Sequence, residues 1–208
     1  MIPAQIVYIT IPLGLTGVFL YMRDMIRGTA RPNRVSFLLW SISPFIGTAI
    51  AFHQGAGIGI LPVFLAGLNP FLIFIFSFIK KGGYWKLGVL DYVCGALALI
   101  ALVFWLLIDV PVLAIVFAVL SDALASIPTL AKAWKEPQSE PSSLYSIGII
   151  TNTIGILVMS RLSFISAAFG FYLVFINIFI VAIIKGRRYA KKAICDLSEQ
   201  KIEKKPII

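Results

Sequence analysis

Apolar residues in this chain come in seven long runs, 3–22, 35–53, 58–79, 88–108, 110–131, 143–159 and 163–184, separated by short stretches in which the charges collect. A helix rises 1.5 Å per residue, so runs of about 17–22 residues match a hydrocarbon core of roughly 30 Å. The runs are continuous rather than alternating, which argues for helices over the short period-two strands of a membrane barrel. The pattern predicts an all-α membrane protein with seven transmembrane helices.

Composition strengthens this picture. With 208 residues, 60% of them hydrophobic, and a mean hydropathy of +0.97, the chain carries more apolar surface than one soluble core of this length can hide. The formal net charge of +9 does not point to nucleic acid, because the basic residues lie between and after the apolar runs rather than on one folded face. Arg23, Arg27, Arg31 and Arg34 follow the first run, Lys80, Lys81 and Lys86 the third, and Lys132 and Lys135 the fifth, while Lys185, Arg187, Arg188, Lys191 and Lys192 follow the seventh. The alternate loops hold only residues 53–57 with His53, then Asp109 and Arg161. This asymmetry places the N-terminus outside and the C-terminus in the cytoplasm, in a plasma or inner membrane. Tyr84, Trp85, Trp105 and Trp134 mark helix ends at the interfaces. Basic residues follow the first run instead of preceding it, the wrong order for a cleaved signal peptide. The tail 185–208, with eight basic residues against Asp196, Glu199 and Glu203, is expected to start as a helix against anionic lipid or simply to anchor the topology.

One run stands out chemically. Asp122 lies near the middle of the fifth run, where an acidic side chain costs on the order of 3 kcal/mol on insertion scales and normally faces a bundle interior or wet cavity. Such a carboxyl group is suited to exchanging protons and coupling solute movement to a gradient. The competing role is structural, a packing aspartate bonded through Ser121, Ser126 or another helix. Asp91, close to the cytoplasmic end of the fourth run, is expected to snorkel or pair with Lys86.

An internal repeat emerges when the third run is slid onto the seventh. Asn69 falls on Asn177 and Gly47 on Gly155 at one displacement, 108 positions (177 − 69 = 155 − 47), and Phe37 meets Tyr145 and Phe71 meets Phe179. The register lays runs one to three over five to seven and leaves the fourth unpaired. The predicted organisation is a transmembrane domain 1–184, made of a bundle 3–79, a linker helix 88–108 and a second bundle 110–184, followed by the tail 185–208. An odd connecting helix gives the two halves one orientation, a parallel repeat of the kind on which carriers are built.

The string Ile127-Pro128-Thr129-Leu130 with Lys132, Trp134 and Lys135, then Pro141-Ser142-Ser143 opening a run with Asn152, resembles the SWEET and PQ-loop transporter superfamily. Arg23, Asp24, Arg31-Pro32-Asn33-Arg34, Ser36, Trp40 and Pro44 echo it in the first half. The three-one-three order covers the whole membrane part, and the local motifs about a third of the chain. The resemblance implies that Asn69 and Asn177 line a solute pocket and that Pro44 and Pro128 permit rocking. The chain departs from the pattern in carrying Pro128-Thr129 where the family has proline-glutamine, in placing Pro137-Gln138 in a loop, and in lacking a proline in the sixth run.

Asn69 and Asn177, with Asn152 and Trp40 beside them, are therefore the expected substrate-binding residues, Asp122 the proton-coupling residue, and Pro44 and Pro128 the hinges. Asparagine amides both donate and accept, which suits a small polar solute such as a sugar, and their bland alternative is hydrogen bonding between helices. Trp40 is either a stacking platform or packing. Cys94 and Cys195 offer no metal-ligand spacing and no disulfide framework, and no nucleophile-and-base constellation is present, so neither cofactor, metal nor enzymatic activity is expected. The function predicted is alternating-access transport of a small polar solute across a lipid bilayer. Two alternatives stay open, a non-transporting multi-pass scaffold or sensor and a Pnu-type vitamin carrier, as does homo-oligomerisation.

Overall fold

The structure is a computed structural model that describes residues 3–53, 61–79, 85–108, 110–158 and 164–203. Seven α-helices are present among these residues: α1 Thr10–Ile26, α2 Arg34–His53, α3 Leu61–Ile79, α4 Val89–Leu107, α5 Pro111–Lys135, α6 Ser142–Leu157 and α7 Phe164–Glu203. Five stretches, in α1, α3, α4, α5 and α7, are long and apolar enough to cross a membrane, and α6 is a shorter apolar helix. The expectation of an all-helical chain with membrane-length helices holds. Residues 54–60, Lys80, Lys81, Tyr84, Asp109, Arg161 and the segment 204–208 lie outside the described residues, as does the side chain of His53.

Helix ends differ from the apolar runs for local reasons. The first run starts as a 3-10 helix, Ala4–Ile9, and becomes α-helical at Thr10. Pro12 then falls in the first α turn, where its missing N–H is not needed. α1 runs four residues past Met22 and stops at Gly28, whose φ of 78° lets Thr29 N–H reach Asp24 O and Gly28 N–H reach Met25 O, both at 3.0 Å. That is a Schellman stop, satisfied most cheaply by glycine. α5 likewise continues past residue 131 to Lys135. The seventh run does not end at 184, because α7 carries on unbroken into the basic segment. There Arg187 donates to Trp134 O at 3.1 Å, Arg188 to Pro137 O at 2.9 Å and Lys191 to Lys135 O at 2.9 Å. These cations serve free carbonyls at the end of α5 and in the turn that follows it, so three basic side chains of the segment expected to lie against anionic lipid or anchor the topology are turned onto the protein.

Asn33 ties the start of α2 to α4. Its Oδ1 accepts the N–H groups of Val35 and Ser36 at 3.1 and 3.3 Å, an N-cap, while its Nδ2 donates to Asp91 Oδ1 at 2.5 Å. Asp91 Oδ2 accepts the N–H of Gly88 at 2.5 Å. Asp91 is thus a buried structural residue held by Asn33, not by Lys86, which is exposed. Asn33→Ala should lower stability by about 3 kcal/mol, the sum of a lost cap and a buried Asp91 Oδ1 left without its partner. Thermal unfolding of the detergent-solubilised protein checks this, and a loss below about 0.5 kcal/mol would show that the cap and the Asp91 bond do not matter.

Packing follows a repeated plan. α3 lies against α1 and α2, and α7 lies against α5 and α6, so in each triplet the third helix touches both others. The triplets meet through α1 on α6 and α2 on α5. This set of pairings maps onto itself when α1, α2 and α3 are exchanged for α5, α6 and α7. α4 sits to one side, against α5 and α2.

Candidate functional site

Where α1, α2, α3, α5, α6 and α7 converge they line a cavity of about 120 Å³. Most of its wall is apolar, but Asn69, Asn152, Asn177, Asp122 and Trp40 all line it, together with Pro44. Six expected residues from five helices thus meet at one site. Pro128 is the exception: it lies inside α5, buried, away from the cavity lining.

The wall is built from repeat-related positions. At the displacement of 108 positions, Gly14 pairs with Asp122, Phe37 with Tyr145, Trp40 with Gly148, Pro44 with Asn152, Leu65 with Leu173 and Asn69 with Asn177, and every one of these residues lines the cavity. Phe71 and Phe179, also repeat-related, are both exposed on the helix surface at 37% and 46%. Gly14 and Gly148 leave room for the amides. A Cβ on Gly14 would come within 2.7 Å of Asn69 Nδ2, and one on Gly148 within 2.9 Å of Asn177 Oδ1. Both amides therefore lie over a glycine of a neighbouring helix.

Among the described residues, the alternative of hydrogen bonds between helices is not found at Asn152 or Asn177. Asn152 Nδ2 donates to Gly148 O and Asn177 Nδ2 to Leu173 O, each at 2.7 Å and each within its own helix. Backbone carbonyls accept only from the NH₂ group, so both side-chain oxygens are left as acceptors. Asn69 Oδ1 is buried with no hydrogen-bond partner. Gly148→Ala should displace the Asn177 amide at little cost to stability, under about 1 kcal/mol, because the atom that must move ends a short side chain. Solute binding should fall about tenfold. Unchanged binding in Gly148→Ala would remove Asn177 from the site.

Asp122 is 5% exposed, and its carboxyl group is bonded by a residue that sequence reasoning missed. Tyr172 of α7 donates its hydroxyl to Asp122 Oδ2 at 2.8 Å. The serines proposed as partners do something else: Ser126 donates to the backbone oxygen of Asp122 at 2.8 Å, and Ser121 to Ala98 O at 2.8 Å. Trp40 Nε1 also points at the Asp122 backbone oxygen, at 3.4 Å. The Trp40 ring packs edge-on against Phe37 and Tyr145, with centroids 5.4 and 6.4 Å away. Tyr21 continues the row on the other side of Phe37.

Beyond this aromatic row, where the basic loops gather, lies a second cluster that the sequence hid. Glu140, in the loop between α5 and α6, is fully buried, as is Lys132, and the two form an ion pair. Glu140 Oε1 accepts from Tyr21 at 2.9 Å and from Tyr145 at 2.6 Å. Lys132 also donates to Arg31 O at 2.5 Å, and Arg188 to Glu140 O at 2.9 Å. The cluster joins α1, the α1–α2 loop, α5, α6 and α7, and Tyr145 belongs both to it and to the cavity wall. Compared with protein-family models, curated proteins and solved structures, the chain matches none of them.

Proposed function

We propose that this protein is a membrane carrier in which two three-helix bundles, α1–α3 and α5–α7 joined by α4, rock about a shared central cavity and move a small polar solute by alternating access. All seven helices span the bilayer in this reading, with the N-terminus outside and the C-terminus in the cytoplasm of a plasma or inner membrane. The resemblance to SWEET and PQ-loop carriers points the same way. The observation that carries the proposal is the cavity wall: six repeat-related pairs line one cavity between the two bundles, and repeat-built carriers hold their solutes at the interface between their repeats. A scaffold has no need of a cavity with an unpartnered buried amide oxygen, since orphaned acceptors cost about 1–3 kcal/mol each. Asp122 is the residue through which a proton gradient would act, and Pro44 and Pro128, each inside a helix, are the points where rocking would bend α2 and α5. The Glu140–Lys132 cluster is then the gate on the cytoplasmic side, shut in this conformation.

Reconstitution into liposomes tests the reading. Solute flux that depends on the protein and falls in Asn69→Leu and Asn177→Leu supports a carrier. A protein that folds, inserts and passes no solute from a broad panel of small polar molecules is a scaffold.

A further inference from the structure

We infer that the cavity is a binding site for a small organic cation that donates hydrogen bonds, a primary amine carrying no acidic group. This deepens the carrier reading and rests on it for why a solute enters the cavity at all. The inference comes from counting donors and acceptors in the wall. Every hydroxyl and indole donor there is already given to a protein oxygen: Trp40, Ser126 and Tyr145 as described, Thr10 to Val7 O at 2.5 Å and Thr151 to Gly148 O at 3.3 Å. Asn152 and Asn177 each spend an N–H on their own helix.

Among the described residues, what remains unclaimed is four side-chain oxygens, one of them on a carboxyl group, and the remaining amide N–H groups of Asn69, Asn152 and Asn177. Asn69 Oδ1 is buried without a partner, Asn152 and Asn177 keep their side-chain oxygens, and Asp122 Oδ1 accepts nothing among the described residues. Among the described residues the lining contains no lysine, arginine or histidine, so there Asp122 faces the cavity with a tyrosine hydroxyl and no cation. A buried carboxylate without a counter-charge is costly, and a cationic solute relieves that cost. An ammonium group has three donors and no acceptor, which fits a wall of open acceptors. The ring of Trp40 adds an aromatic surface suited to a cation.

Other solutes fit worse. A carboxylate or phosphate on the solute would meet Asp122 with no basic residue to offset it. A sugar is neutral and leaves the Asp122 carboxyl without a counter-charge. The volume of about 120 Å³ further limits the solute to a compact molecule. A carrier built this way uses one carboxyl for both amine and proton, so the two exchange for each other.

The experiment is binding of butylammonium, butanol, butyrate and glucose to the purified full chain in nanodiscs, by calorimetry. Butylammonium should bind at least about tenfold more tightly than butanol, of nearly the same size, and butyrate should not bind. Asp122→Asn should weaken butylammonium by about tenfold or more, the worth of one charge-assisted bond, and Asn69→Leu severalfold. Glucose or butyrate binding in preference to butylammonium overturns the proposal, as does butylammonium binding that Asp122→Asn leaves unchanged. Should Asp122→Asn fail to fold, the wild-type comparison of butylammonium with butanol decides alone. Selective amine binding without flux in liposomes would uphold this site and sink the carrier reading. Flux of a neutral sugar with no amine binding would do the reverse.

Discussion

Lys132→Met is expected to destabilise the protein by about 3–5 kcal/mol, because it strands the Glu140 carboxylate in a site that both residues share with no exposure to solvent. Glu140→Gln should cost a similar amount, since it leaves the lysine charge unpaired. The double variant should be far milder. A glutamine oxygen at position 140 still accepts from Tyr21 and Tyr145, which bond Glu140 Oε1 in the native protein, and no buried charge is left. Recovery of more than half of either single loss in the double variant, measured by thermal unfolding in detergent, is the expected result. Losses below 1 kcal/mol for both single changes would mean that water reaches the pair, as at a surface ion pair. If the cluster is also the cytoplasmic gate, the double variant should open more readily and exchange solute faster than the native protein.

Asp122→Asn is the second large effect. The substitution keeps the shape and still accepts from Tyr172, whose hydroxyl lies 2.8 Å from Oδ2, but it fixes the side chain as neutral. Gradient-driven accumulation should be lost entirely. Exchange at saturating solute should survive, with the concentration for half-saturation raised about tenfold. A packing aspartate predicts otherwise: the amide would serve as well as the acid, accumulation would persist, and only an apolar replacement such as leucine would harm the protein. Full accumulation by Asp122→Asn in proteoliposomes would take proton coupling away from this residue.

The helices were legible because a run of about twenty apolar residues has few other solutions in a chain this hydrophobic. Asn69 and Asn177 were legible for a different reason. A polar identity at one displacement is rare in an apolar chain, and both amides line the cavity. The same displacement concealed other pairs of the wall. Gly14 with Asp122, and Trp40 with Gly148, match in position but not in chemistry, so an identity search passes over them. The cause of the mismatch is visible in space. Where one repeat supplies a bulky or charged side chain, the other supplies a glycine, and an amide occupies the vacated volume.

Tyr172 was invisible because an aromatic residue inside an apolar run looks like membrane packing until its hydroxyl is seen on Asp122. Glu140 and Lys132 were missed because loop charges are usually solvated and nothing local marks these two as buried. Their burial depends on Tyr21, 119 positions from Glu140, and on Arg31, 101 positions from Lys132. Asp91 went to the wrong partner for a related reason. Lys86 is near in sequence, whereas Asn33, 58 positions away, already stood in the loop as the cap of α2.

Access to the cavity from each side of the membrane tests the central claim most directly. Ala66 lines the cavity and can be replaced by cysteine after Cys94 and Cys195 are changed to serine. In oriented vesicles an alternating-access carrier exposes this cysteine to a membrane-impermeant thiol reagent from the outside and, in other molecules of the same population, from the inside. Saturating solute should slow labelling from both faces. Labelling from one face only, at a rate indifferent to every solute tried, would contradict the account and leave a static pocket in a membrane scaffold.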